Sequence, residues 1–447
     1  MRARDRRLTA VAALVLVLVV LCSCTQAVPG RARAAAGAST AAVAAPHAVH
    51  ASTDALGDTV TDALQNVWRE DFPAAFGRPW TDVDTFAPVD TSDPDEPTPP
   101  CVRQAADLVD QAFYCPAADA VVWDAHGLLP ALHDRFGPAG VAVVLAHEVG
   151  HAVQTRLGID EAQRRDPARY PTILLEAMAD CYAGVALAHL AAQPVPGLPL
   201  GPAERDAALL ALVGFRDPLG VVAGDESAHG NAFDRVSAFQ DGYAGDAREC
   251  AGMSLDNRTF TQRHFGSEAD RARGGNLPLT ELLAAVEADA TAWFAAVVPG
   301  WRPPPLGTGP GCRSQDLAAQ GPARYCAADG RVSVDEEPLA AVHRRFGDYA
   351  GATLVVSRYA LAGLHAVDAE ITGPAAGAAA VCLAGAYTGR LLDRDAGFSL
   401  SPGDLDEAVQ VLLEGDWAAR DAAGDTDPTG SGYAAPGGGN ADADGDG

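Results

Sequence analysis

The chain has 447 residues, with 59 acidic residues against 32 basic ones and a formal net charge of −27. A hydrophobic fraction of 48 % excludes a disordered chain, and an aromatic fraction of 6 %, with abundant Ala, favours helical packing over a β-sandwich. Such acidity lacks the clustered positive charge that phosphate binding requires, so no nucleic-acid partner is expected.

The first segment reads as an address. Arg2, Arg4, Arg6 and Arg7 precede an apolar run from Leu8 to Leu21, the layout of a secretory signal. The run is shorter than the ~20 residues that a spanning helix needs. It closes on Leu21-Cys22-Ser23-Cys24, which resembles a bacterial lipobox whose final Cys is lipidated. Residues 1–24 are therefore expected to be a signal peptide, with Cys24 as the lipid attachment point and the remainder outside the cytoplasm, where disulfides persist. Plain secretion and an uncleaved anchor are the alternatives. Residues 25–52, rich in Ala, Gly, Pro and Ser, read as a flexible linker from membrane to domain.

A zinc-binding helix follows. Residues 141–156 read VAVVLAHEVGHAVQTR. His147 and His151 stand at i and i+4, so both rings project from one helix face about a turn apart. Two neutral imidazoles so placed can bind one Zn²⁺, and Glu148 beside them can take a proton from a zinc-bound water. A catalytic zinc site needs a third protein ligand and an open position. A third His six residues after His151 would mark a metzincin, but Leu157 stands there. The better candidate lies in PTILLEAMADCYAGVALAHL, residues 171–190, a predicted helix opened by Pro171. Glu176 and Asp180 are again i and i+4: Glu176 can reach the metal and Asp180 can hold a ligand His through its other nitrogen. Asp160 and Glu161, in a stretch expected to be looped, are rival ligands.

At these residues the chain resembles the neutral zinc metallopeptidases of bacteria. The resemblance is carried by AHEVGHAVQ at 146–154, LEAMADCYAG at 175–184, YCPAADAVVWD at 114–124 and HGNAFDRVSAFQDGYAGDAREC at 229–250. It implies His147, His151 and Glu176 as ligands, Glu148 as general base, a peptide or protein substrate and a mostly helical zincin-like fold. Ala120–Asp124, read as a strand, would be the edge along which substrate lies. His229, before Gly230, can reach over the site as an oxyanion donor; Tyr182 and Tyr243 are weaker rivals for that role.

The second half repeats the first. Cys101 and Cys115 have the same spacing as Cys312 and Cys326; ALHDRFG at 131–137 returns as AVHRRFG at 341–347; CYAGVALAHL at 181–190 returns as CLAGAYTGRL at 382–391. Echoes in conserved order point to duplication. Arg358-Tyr359-Ala360-Leu361-Ala362 stands where the zinc motif would be, and Gly377 faces Glu176. His365 has no partner at i±4 and reads as a packing residue. The second copy is thus expected to be non-catalytic: it covers the cleft, packs on the first copy or binds a partner. Expected disulfides are Cys101–Cys115, Cys312–Cys326 and Cys181–Cys250, the last tying the third-ligand helix to the His229 segment. Cys382 is left unpaired.

The expected architecture is α+β and predominantly helical: a zincin-like metallopeptidase domain at 53–275, a degenerate repeat at 276–416, and a disordered Gly- and Asp-rich tail at 417–447. The expected function is an extracytoplasmic, lipid-anchored zinc metallopeptidase with one Zn²⁺ in the first copy. The rival is a peptidase-derived binding protein that holds a partner at the cell surface without turnover. The absence of Lys, with abundant Ala, Gly, Pro and Arg, reads as codon bias of a GC-rich genome.

Overall fold

The computed structural model describes residues 46–224, 228–309, 312, 318–392, 394 and 397–426. The expected signal peptide with Cys24, most of the expected linker at 25–52 and the expected tail beyond 426 lie outside the described residues. The chain is predominantly helical with few strands, and it divides into two compact units after His264.

The first unit opens with helix α1, Pro46–Phe76. It begins inside the segment expected to be linker, because an Ala-rich stretch suits a helix as well as a tether. Then come strands β1 (Thr85–Val89), β2 (Ala112–Cys115) and β3 (Ala120–Asp124). Helices α2 (Leu128–Leu157), α3 (Ile159–Arg165), α4 (Thr172–Ala192), α5 (Pro202–Gly214), α6 (Ala232–Ala244) and α7 (Ala247–Ala251) complete it.

The sheet order is β1-β3-β2, with β1 parallel and β2 antiparallel to β3. This corrects the expectation that Ala120–Asp124 is an edge. All five of its residues are buried, which is why it reads as an unbroken apolar run rather than an alternating one. The edge strand beside α2 is β2.

Helix α2 is kinked at Gly137, whose φ of +66° suits glycine, and Pro138 restarts it. Its second half and α4 are long and apolar enough to cross a membrane, yet both are mostly buried inside the fold. They touch closely at Gly150, where a Cβ would lie 2.8 Å from the Ala179 carbonyl oxygen. Only glycine lets α4 approach this near, and the approach falls between the two histidines of α2 and beside the acids of α4. Disulfides join Cys101 to Cys115 and Cys181 to Cys250, the second fastening α4 to α7.

The second unit contains helices α8 (Glu268–Ala272) and α9 (Leu279–Val297). Strands β4 (Leu306–Thr308), β5 (Ala323–Cys326) and β6 (Arg331–Val334) follow. Helices α10 (Glu336–Phe346), α11 (Asp348–Ala366), α12 (Pro374–Gly389) and α13 (Asp404–Glu414) close it. Its sheet has the order β4-β6-β5, again with one parallel and one antiparallel pairing. Cys312 is bonded to Cys326.

Two expectations change here. Cys382 is half-buried and disulfide-bonded, not an unpaired buried hydrophobe. Residues 417–426, expected in the tail, belong to the fold. Arg358, fully buried on α11, donates to the carbonyls of Trp417 at 3.0 Å and Ala418 at 2.9 Å. The Gly- and Asp-rich composition of the tail hid this anchor, which lies some sixty residues upstream. His365 packs against Tyr325, its Nδ1 2.7 Å from the phenol oxygen.

Candidate metal centre

The centre is built where α2 and α4 cross. On α2, the imidazole Nε2 atoms of His147 and His151 lie 3.2 Å apart. From α4, Glu176 brings one carboxylate oxygen to 3.2 Å from His147 Nε2 and the other to 3.5 Å from His151 Nε2. One ligand atom from each of the three lies within 4.8 Å of the others. Two ring nitrogens and a carboxylate facing one point repel or share a proton unless a cation sits between them. The donor set of two imidazoles and one carboxylate is the one catalytic zinc takes, with a further position left open.

Behind the ligands, each His is oriented through its other nitrogen. Asp180, fully buried, accepts from His147 Nδ1 at 2.7 Å. His151 Nδ1 is 3.1 Å from Gln154 Oε1, and the Gln154 amide donates to the Leu175 carbonyl at 2.6 Å. Arg235 of α6 grips Asp180 through two N–H groups, at 2.9 and 2.8 Å. Its third arm reaches the Phe215 carbonyl at 2.9 Å.

Burial works against every charge here, and the network overcomes it. Burial opposes ionisation of Asp180, but Arg235 and His147 hold its carboxyl down at about 2. Burial likewise opposes Glu176, and His151 and His147 hold it at about 2. Burial disfavours the His147 cation, yet Asp180 and Glu176 raise it to about 10. Together the acids make the pocket between the histidines strongly attractive to a cation.

Glu148, next to His147 on α2, lines the same cleft. One of its carboxylate oxygens accepts from the backbone N–H of Tyr114 at 2.9 Å. Burial raises its carboxyl above the ordinary value, against the pull of His147 and His151, as suits a base. All four residues line one cleft of about 690 Å³, with Phe113, Tyr114 and His229 on its walls.

Residues 96–253 match the family model described as "Putative neutral zinc metallopeptidase". That segment is similar to this family. It contains His147, Glu148, His151, Glu176, Asp180 and Arg235, and it ends within the first unit. Similar curated proteins are the uncharacterized protein YpfJ of Escherichia coli strain K12 and its counterpart in Escherichia coli O6:H1. Each is 32 % identical over 155 residues, which is 31 % of this chain. The chain spans about half the length, 52 %, of these relatives. No solved structure matches the chain.

Other residues singled out from the sequence sort by position around this cleft. His229 lines the cleft, and Asp217 fixes it by accepting from its backbone N–H at 3.1 and 2.9 Å. The Asp217 carboxylate also favours the charged imidazole and so raises it, against burial. Tyr182 is fully buried against Trp68 and Tyr243 stacks on Phe239; neither lines the cleft. Asp160 lines its outer part but accepts from the Thr155 hydroxyl, and Glu161 pairs with Arg165. Neither belongs to the ligand cluster. Both sit on a short helix, not the expected loop, because Gly158 in the left-handed region turns the chain into a new helical start.

Sequence reasoning missed Arg235, Asp217 and Gln154. Arg235 carried one readable signal: Ala232, Arg235, Val236 and Phe239 share a helix face by their i, i+3, i+4, i+7 spacing, so an Arg sits on an apolar stripe and needs a buried partner.

Proposed function

We propose that the first unit is a zinc-dependent peptidase that works outside the cytoplasm. The observation that carries this reading is the convergence of His147, His151 and Glu176 beside the buried carboxylate of Glu148 in one open cleft. Similarity to the family points to zinc, and the two-imidazole, one-carboxylate set fits it. Bound there, Zn²⁺ supplies a Lewis acid that acidifies water and polarises a carbonyl.

The chain's own residues do the rest. Glu148 accepts a proton from the attacking water and delivers it to the leaving amine. Its raised carboxyl suits both halves of that transfer. His229, aimed by Asp217, donates to the oxyanion that develops on the scissile carbonyl. Strand β2 offers an edge: the ladder alternates, so Tyr114, whose N–H turns away from β3 to Glu148, shares its outward face with Ala112. An extended peptide aligns along that edge with its scissile bond over the histidines.

The second unit is read as a non-catalytic copy. Its sheet has the same order and the same pairing directions as that of the first. Gly347 breaks the chain before α11 with a positive φ, as Gly137 does within α2. The strand N–H of Tyr325 donates to Gln320 at 2.9 Å, whereas that of Tyr114 donates to Glu148. Buried Arg358 fills the position of His147. The disulfides support an oxidising compartment, and the signal-like start ending at Cys24 suggests a lipid-anchored protein.

Metal analysis tests the reading. One zinc per chain, with chelator-sensitive cleavage of unfolded proteins or cell-wall peptides that returns on adding Zn²⁺, supports a peptidase. Zinc bound without turnover, or no zinc after reconstitution, favours the surface-binding alternative.

A further inference from the structure

Asp348, Asp404 and Glu407 of the second unit are 3, 4 and 5 % exposed. One carboxylate oxygen from each lies within 4.8 Å of the others. Each side chain spends one oxygen on a backbone N–H. Asp348 accepts from Leu277 at 2.7 Å, Asp404 from Ser401 at 2.8 Å and Glu407 from Tyr349 at 2.7 Å. These bonds fix the three carboxylates in place. The remaining oxygens of Asp348 and Asp404, both Oδ1, are buried with no hydrogen-bond partner. Buried acceptors left in this state carry a desolvation cost that something must offset.

No ion pair to any of the three exists among the described residues. Arg345 pairs with Glu414, and Arg390 and Arg394 pair with Asp289. The negative charge of Asp270 bears on Asp348 and Asp404, and the imidazole of His343 offsets it in part at Asp348. Gly347 makes the convergence possible, since at its φ of +118° a Cβ would lie 2.0 Å from the Glu407 carboxyl carbon. Converging carboxylates with orphaned buried oxygens call for a cation.

We propose that Asp348, Asp404 and Glu407 form a binding site for a hard divalent cation, calcium, that locks α11 to α13 in the second unit. Oxygen-only ligands select a hard cation over zinc. Two ligands on opposite sides of Ca²⁺, at about 2.4 Å each, span about 4.8 Å, the limit within which these oxygens lie. The carboxylates provide up to half the ligands that calcium takes, and water or carbonyls provide the others. This site is separate from the histidine centre and independent of any peptidase activity.

The test is calorimetric titration of the metal-stripped full chain with CaCl₂, in the presence of one equivalent of Zn²⁺, alongside thermal unfolding with and without calcium. One Ca²⁺ per chain and a raised unfolding temperature are expected. Asp404→Asn and Glu407→Gln should each weaken calcium by about tenfold or more, whereas His151→Ala should bind it as the unaltered chain does. Both amide variants keep the side-chain shape and remove repulsion, and circular dichroism checks that they fold. Absence of calcium binding by the unaltered chain, preference for Mg²⁺ or Zn²⁺ over Ca²⁺, or undiminished calcium binding by both variants would overturn the proposal.

Discussion

The backbone N–H of Tyr114 donates to the Glu148 carboxylate at 2.9 Å, fastening that carboxylate to the edge of the sheet. The bond ties Glu148 to the strand where a peptide substrate is proposed to lie, so base and substrate share one rigid reference. It also separates charge from geometry. In Glu148→Gln the amide oxygen can still accept from Tyr114, and the histidines are untouched. Hydrolysis should fall by about 10²–10⁴-fold while zinc content stays the same. Cleavage assays paired with metal analysis check this; cleavage at the unaltered rate would remove Glu148 from the mechanism.

Arg235 matters through Asp180. The carboxylate is fully buried between His147 and the guanidinium. Arg235→Met leaves it with half its charge partners and should cost about 3–5 kcal/mol of stability. Misorientation of His147 should also weaken zinc by about 10–100-fold. Arg235→Lys should rescue only part of this, because an ammonium cannot make the two-pronged contact. Chemical denaturation and zinc competition measure both effects, and an unchanged zinc affinity would show that Asp180 orients His147 unaided.

Arg358 is fully buried on α11 of the second unit. Burial draws its guanidinium down to about 9, so its role is to donate hydrogen bonds to Gln320, Trp417 and Ala418. Arg358→Met orphans two buried carbonyls and should destabilise the second unit by about 2–4 kcal/mol. Amide exchange across 417–426 should accelerate, with zinc binding and peptidase activity intact. Loss of activity in folded, zinc-loaded protein would contradict a non-catalytic second unit.

Asp206 sets a pH dependence. Burial lifts its carboxyl to about 6 despite Arg205 at 3.0 Å. A carboxyl whose folded value is raised favours the native state while protonated. That contribution is complete below about pH 4 and is lost as pH rises to about 6. Asp206→Asn should therefore gain stability relative to the unaltered chain between pH 4 and 6, by about 2–3 kcal/mol, and stay level above. A difference that does not vary with pH in denaturation curves would rule this out.

Much of the centre was legible because it rests on helix periodicity. The i, i+4 spacing of His147 with His151 and of Glu176 with Asp180 is local, and an apolar setting marks both helices as buried. The rank of Ala120–Asp124 within its sheet was not legible, since an apolar run looks alike at an edge and in a centre. Nor was the anchoring of 417–426, where low-complexity composition said nothing of Arg358.

The sequence by itself therefore determined the candidate ligand types, their spacing along each helix and the candidate base beside them, because backbone geometry alone puts such residues on one face. The tertiary structure decided which faces meet. Gly150 lets α4 come close enough for Glu176 to join the histidines, Arg235 arrives from a third helix to hold Asp180, and Asp348 meets Asp404 and Glu407 across more than fifty residues of chain. Those relationships depend on long-range packing, in which one missing Cβ or one buried guanidinium sets the distance between elements, and no local pattern encodes that distance.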